Sequence, residues 1–143
     1  MATKPPFWWV DPPLQPAAAA EVQLALGHFI QRFVLEGRRG RAGLIFRPGK
    51  RRGGPQALAA LIDHGRAIAL PAGRATPTAA QARALAGLNL GTAGVFMDDG
   101  GNCWTTWLGT ALSELCDSDA IFAATDGRCA VVHFDVGDSL LLR

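Results

Sequence analysis

Hydrophobic and polar positions along the chain change period several times, and each change marks an element. From Ala17 to Glu36 the apolar residues Val22, Ala25, Leu26, Phe29, Ile30, Phe33 and Val34 recur at i, i+3 and i+4, one buried face of a helix. Pro16 precedes this stretch and Gly37 supplies a left-handed stop. His28 falls off the apolar stripe and reads as a surface side chain.

The middle alternates short apolar runs with short helical patterns. Ala42–Phe46 reads as a strand, and Pro55–His64 as a helix with proline at its first position and Gly65 at its end. Ala67–Leu70 reads as a second strand. Pro77–Ala86 reads as a helix begun by Thr76, or by a Thr78…Gln81 capping box, and stopped by Gly87. Thr92–Met97 is a third strand. This β-α-β-α-β order permits parallel pairing through right-handed crossovers.

Towards the carboxyl end the pattern turns to hairpins. Val95-Phe-Met-Asp-Asp-Gly-Gly-Asn-Cys-Trp and Ile121-Phe-Ala-Ala-Thr-Asp-Gly-Arg-Cys-Ala echo one another: an apolar start, an Asp-Gly turn, then a cysteine. Asp-Gly between apolar runs marks a hairpin because the favoured turns need positive φ. Thr110–Leu115 reads as a helical turn between the two hairpins, Asp135-Val-Gly-Asp138 as a turn, and Ser139–Leu142 as a last strand. The expectation is an α+β fold: a mixed sheet with short helices packed on it, and antiparallel hairpins at the C-terminal end.

The first sixteen residues differ from the rest. Lys4-Pro-Pro-Phe-Trp-Trp-Val-Asp-Pro-Pro is too rich in proline for a helix and runs extended. Phe7, Trp8 and Trp9 either pack this arm onto the core or form an aromatic patch for a partner. At 143 residues the chain is one domain, 1–143 with the arm 1–16 packed on it, and buries a core without a disulfide or metal staple. There is no secretory pattern at the start, and no apolar run approaches the roughly 20 residues of a membrane helix. The three cysteines, Cys103, Cys116 and Cys129, are an odd number and read as free thiols. Cytoplasmic residence, no membrane contact and no cofactor are the expectations.

Net charge is +2, but its halves differ: residues 1–74 hold eleven Lys/Arg against four Asp/Glu, and residues 75–143 hold three against eight. Two chemically distinct surfaces, or two halves that pair with each other, would produce this split. Between Gly37 and Gly54 seven cations stand without an acid, among them Arg47, Lys50, Arg51 and Arg52. Arg47-Pro-Gly-Lys-Arg-Arg-Gly-Gly-Pro55 opens the helix at Pro55, where free N–H groups and glycines suit an anion such as a phosphate or a nucleic-acid backbone. The loop is not a Walker A sequence and matches no nucleic-acid motif. The bland alternative is a solvated loop facing the protein's own acids.

A thiol site is the second candidate. Gly-Gly-Asn-Cys103-Trp104 resembles the run around the nucleophile of papain-like cysteine proteases, where cysteine opens a helix and a histidine lies on a later strand. The resemblance spans about five residues and implies Cys103 as nucleophile, His133 as base, and Asp135 or Asp138 to orient the ring. Against it, Trp104-Thr-Thr-Trp107 reads as a strand, and Cys129 stands at the matching place in the second hairpin, as if the position wants a small buried residue. Metal spacing is absent, since the cysteines lie thirteen apart and the histidines are single.

The third candidate is a set of acids at turns and element ends: Asp98, Asp99, Glu114, Asp117, Asp119 and Asp126. Carboxylates spaced on loops steer a basic partner. Without a convincing catalytic set, the sequence favours a protein-binding domain over an enzyme. Its sharpest form is an immunity-type inhibitor that blocks a basic toxin or nuclease through Asp98, Asp99, Asp117, Asp119 and Asp126.

Overall fold

A computed structural model of the chain describes residues 15–45, 54–70, 86–98, 102–114, 119–134 and 139–143. The strands are β1 (Gln15–Pro16), β2 (Ala67–Leu70), β3 (Ala93–Met97), β4 (Cys103–Trp107), β5 (Ala120–Ala124), β6 (Ala130–His133) and β7 (Ser139–Leu142). The helices are α1 (Ala19–Phe33), α2 (Arg39–Ile45), α3 (Gly54–Ala59) and α4 (Leu108–Glu114), with 3-10 turns at Glu36–Arg38 and His64–Arg66. The strands form one sheet in the order β1-β4-β3-β5-β6-β7-β2, and every pairing is antiparallel.

The α+β class therefore holds, while the parallel pairing expected in the middle does not form. Its first strand is missing: residues 42–45 belong to α2, not to a strand. Ala42 is buried among α1 and α3 residues. A short apolar run carries too little periodicity to distinguish helix from strand, and packing against α1 decided it. Without that strand, β2 has no crossover partner and pairs instead with β7, Ala67 opposite Leu142. The helix expected over 77–86 lies outside the described residues apart from its last residue, and so do residues 1–14 of the arm.

Alternation along each strand sends side chains to two faces. On one face Val95, Met97, Ile121, Ala123, Ala130, Val132 and Leu142 pack under α1, whose buried stripe is Ala25, Leu26, Phe29 and Phe33 as the periodicity demands. Leu58, Ala59, Leu61 and Ile62 close that layer. An isolated bridge, Val34 to Ile62, ties the end of α1 to the chain after α3. On the other face Phe96, Phe122, Val131 and Leu141 meet Leu108 and Ala111 of α4. Because β5 and β6 are covered on both sides, they carry AIFAA and AVV, apolar runs instead of an alternation, with the buried His133 closing β6.

The two echoing hairpins are β3–β4 and β5–β6, and they lie side by side through β3 and β5, with Phe96 opposite Phe122. Their turns differ by one residue. Asp98 N–H donates to Asn102 O, leaving three residues between that pair; Ala124 N–H donates to Cys129 O, leaving four. One residue of difference reverses which face the following residues occupy. Cys103 thus packs on the α1 face and Cys129 on the α4 face, although the sequence aligns them. The second turn uses its glycine as the Asp-Gly signal requires: Gly127 has φ 77°.

Candidate functional site

The thiol dyad does not assemble. Cys103 is on β4 and His133 on β6, with β3 and β5 between them. Three strand spacings amount to about 14 Å. The side chains also leave opposite faces of the sheet. Cys103 shares its face with Met97, Ile121 and Val132, whereas His133, opposite Ala120, stands on the face of Val131. No rotamer change crosses a sheet. Burial pushes the Cys103 thiol up from its ordinary range, and the charge of Asp98 adds to the rise, the reverse of what a nucleophile needs. Cys129 is likewise raised, first by burial. Asp135 and Asp138 lie outside the described residues, as does Cys116. His133 is buried and its Nδ1 shares a 2.6 Å hydrogen bond with Ser139 Oγ, its cross-strand neighbour.

The acidic set does not stand outward as a group either. Asp119 is 8% exposed, so it is no part of a steering surface. Asp126 is held by its own neighbour: Arg128 Nε lies 2.6 Å from Oδ2, and Arg128 N–H donates to Oδ1. That backbone hydrogen bond, followed by the side-chain one, holds the Asp126 carboxyl below the usual carboxylate range. Asp98 organises the first hairpin turn, accepting from Asn102 N–H, Asn102 Nδ2 and, at 3.4 Å, Trp104 Nε1. Asp99 and Asp117 lie outside the described residues, together with Arg47, Lys50, Arg51 and Arg52 of the basic loop. Among the described residues no group of three or more His, Cys, Asp or Glu is placed to hold a metal ion, and no helix is long and apolar enough to cross a membrane.

A different site forms at the end of the sheet where β3 begins and β5 ends. A cleft of about 470 Å³ opens there between α1 and two turns. Its walls are Leu24 and His28 of α1, Asn89, Gly91, Thr92 and Ala93, and Thr125, Asp126 and Arg128 of the β5–β6 turn. Local chemistry sets each wall. Asn89 builds an Asx turn, its Oδ1 accepting from Gly91 N–H and its carbonyl from Thr92 N–H and Thr92 Oγ1. Thr125 N–H donates to Ala93 O and joins the two turns. His28 Nδ1 lies 2.6 Å from Thr125 O and docks α1 onto them. A carbonyl can only accept, so this ring nitrogen carries its proton and Nε2 is left for the outside. Gly127 lets the helix come this close, because a Cβ there would lie 2.9 Å from His28 Cβ.

Exposed apolar side chains also stand at this end of the sheet. Leu24 is 51% exposed and lines the cleft; Trp107, 38% exposed, is the cross-strand partner of Ala93 in its wall; Leu90, 42% exposed, lies against Gly109 of α4, outside the lining. One signal for this was legible: Leu24 is an apolar residue outside the buried stripe of α1. Leu90 and Trp107 carried no such mark. Comparison with known protein families, with curated proteins and with solved structures finds no match to this chain.

Proposed function

We propose that this chain is a protein-binding domain, without catalytic activity of its own, and that its contact face is the end of the sheet around the cleft. One observation carries this reading: Leu24, the most exposed large apolar side chain among the described residues, lines a cleft, and the exposed Trp107 pairs across the sheet with Ala93 of its wall. Scattered exposed leucines mean little, but grouped apolar side chains around a concavity mark a contact site. Covering what Leu24 and Trp107 leave in water contributes about 2 kcal/mol. Polar groups that fix orientation are at hand in His28, Asn89, Asp126 and Arg128.

An enzyme is the weaker reading, because the cleft brings together an imidazole and a carboxylate already engaged with Arg128, with no thiol or metal cluster beside them. The narrower idea of an immunity-type inhibitor acting through acidic loops loses Asp119 to burial and half of Asp126 to Arg128. What survives of it is the broader notion of a domain that works by occupying a partner.

The test is capture by the purified chain and by its Leu24→Asp variant from the source cell, followed by titration of the purified partner. Leu24 is exposed, so the variant keeps its fold and can be checked by circular dichroism. A stoichiometric protein that binds the wild type and is released by Leu24→Asp supports the proposal. A partner that binds both equally places the contact elsewhere and refutes the assigned face.

A further inference from the structure

Beside the cleft, arginines from four separated parts of the chain gather at the end of the sheet, Arg32 on the α1 side and Arg143 with Cys129 on the α4 side. Arg128 lines the cleft from the β5–β6 turn. Arg32 lies one helical turn beyond His28 on the same side of α1, the side that touches Thr125, and its guanidinium is 5.7 Å from the Phe33 ring. Arg143 follows β7: Leu142 pairs with Ala130, so the next residue is beside Cys129, the neighbour of Arg128. Arg143 N–H also donates to Arg66 O, which continues the β2–β7 ladder by one step and sets two arginines side by side. All four arginines are exposed. Like charges directly across a ladder are unfavourable unless something negative lies over them. Of the nearby carboxylates, Asp126 is held by Arg128 and Asp63 accepts from Gly65 N–H as the cap of the turn that carries Arg66.

Resting on the proposed binding face, we infer that its partner is an acidic protein segment carrying an apolar side chain: the apolar residue enters the cleft beside Leu24, and the flanking carboxylates reach Arg32, Arg66, Arg128 and Arg143. This is the opposite of the basic partner that the chain's acidic C-terminal half suggests. The sign changes because Arg128 and Arg143, two of the three cations in that half, fold against Arg32 and Arg66 from the other half. Arginine suits the task, since its planar fork binds carboxylates in pairs of hydrogen bonds. A nucleic acid fits less well. A leucine and one tryptophan do not make a stacking platform for bases, and the Asp126 carboxylate at the cleft repels phosphate but accepts from a peptide N–H.

The test is selection from a display library of random linear peptides on the full chain, with Leu24→Asp and the double variant Arg66→Ser/Arg143→Ser as comparisons. Both variants alter exposed positions, and their folds are checked by circular dichroism. The expected result is enrichment of peptides with Asp or Glu flanking a large apolar residue. Their capture is abolished by Leu24→Asp and weakened about tenfold by the double variant, less so as salt is raised. Enrichment of basic or neutral peptides that still depends on Leu24 overturns the charge assignment and leaves the cleft standing. Enrichment indifferent to Leu24→Asp, or no enrichment over bare resin, overturns both. Binding of oligo-dT or of phosphatidylserine vesicles in place of peptides overturns the protein partner and keeps only the sign of the charge.

Discussion

Replacing Gly94 by alanine and replacing Gly27 by alanine add the same methyl group, yet the structure assigns them opposite effects. Gly94 is in β3, paired with Ala124 on one side and Thr106 on the other. A Cβ built there meets the backbone carbonyl of Ala123, and it stands 2.6 Å from Cζ and 2.9 Å from Cε1 of Phe122. Ordinary carbon contacts begin near 3.5 Å, so the ring must retreat by about 1 Å. Phe122 is fully buried within the core on the α4 face, so its ring moves only by displacing its neighbours. The Ala123 carbonyl is part of β5 and cannot yield without moving the ladder. Overpacking of this kind costs about 2–3 kcal/mol. For a chain of this size that lowers Tm by about 5–10 °C. Gly27 sits in α1 with nothing within 4 Å of an added Cβ, so alanine there contributes its helix propensity, about 1 kcal/mol of stability. Urea titrations followed by tryptophan fluorescence and far-UV circular dichroism measure both. A Gly94→Ala protein within about 0.5 kcal/mol of the wild type would falsify the claim that Phe122 and β5 close over that glycine.

Other consequences concern the turns, the acid and the thiols. Gly127→Ala should cost about 2 kcal/mol, from the positive φ and the 2.9 Å approach of His28 Cβ. In a His28→Ala background the backbone part should remain while the contact with the imidazole disappears, and a double-mutant cycle in urea separates the two. The Asp126 carboxyl should titrate below free aspartate in a carbon-detected NMR titration. Arg128→Gln should raise it only partway, because the backbone N–H of residue 128, the leading cause, is retained. Its folded-state pKa is depressed, so its small contribution to stability is present above about pH 4 and is lost as pH falls through the lowered value. A full return to the free-aspartate value in the variant would show that the guanidinium does everything. Cys103 and Cys129, both raised by burial, should react with iodoacetamide at pH 8 more slowly than glutathione does; fast labelling of Cys103 would contradict its place under α1.

Much of the fold is written in local order. The stripe Ala25, Leu26, Phe29 and Phe33 predicts α1 and its buried face, because a 3.6-residue period has no other use. Strands at 67–70 and 139–142 and the two Asp-Gly hairpins follow from apolar runs bounded by turn residues, and those signals act over a few residues. Beyond that reach the residues fall silent. Nothing near Ala42 says whether its short run is strand or helix; α1 decides by offering a surface. The resemblance around Cys103 could suggest a dyad because spacing carries no information about which face of a sheet a side chain leaves, and a single residue of turn length sends Cys103 and Cys129 apart.

Charge shows the same division. The composition of the two halves is a property of the chain, and it predicts an acidic surface on the second half. Antiparallel pairing of β7 with β2 and β6, and the docking of His28 on Thr125, bring four arginines from both halves to one end of the sheet. By itself, then, the order of residues determined α1 with its buried stripe, the strands at 67–70 and 139–142, the two hairpins and the α+β class, all of which depend on neighbours within a turn or two. The tertiary structure alone decided strand order, the face each thiol occupies, and the cleft that joins Leu24 to Arg128. These depend on contacts between residues as much as 97 positions apart, such as His28 with Thr125, which no local pattern encodes.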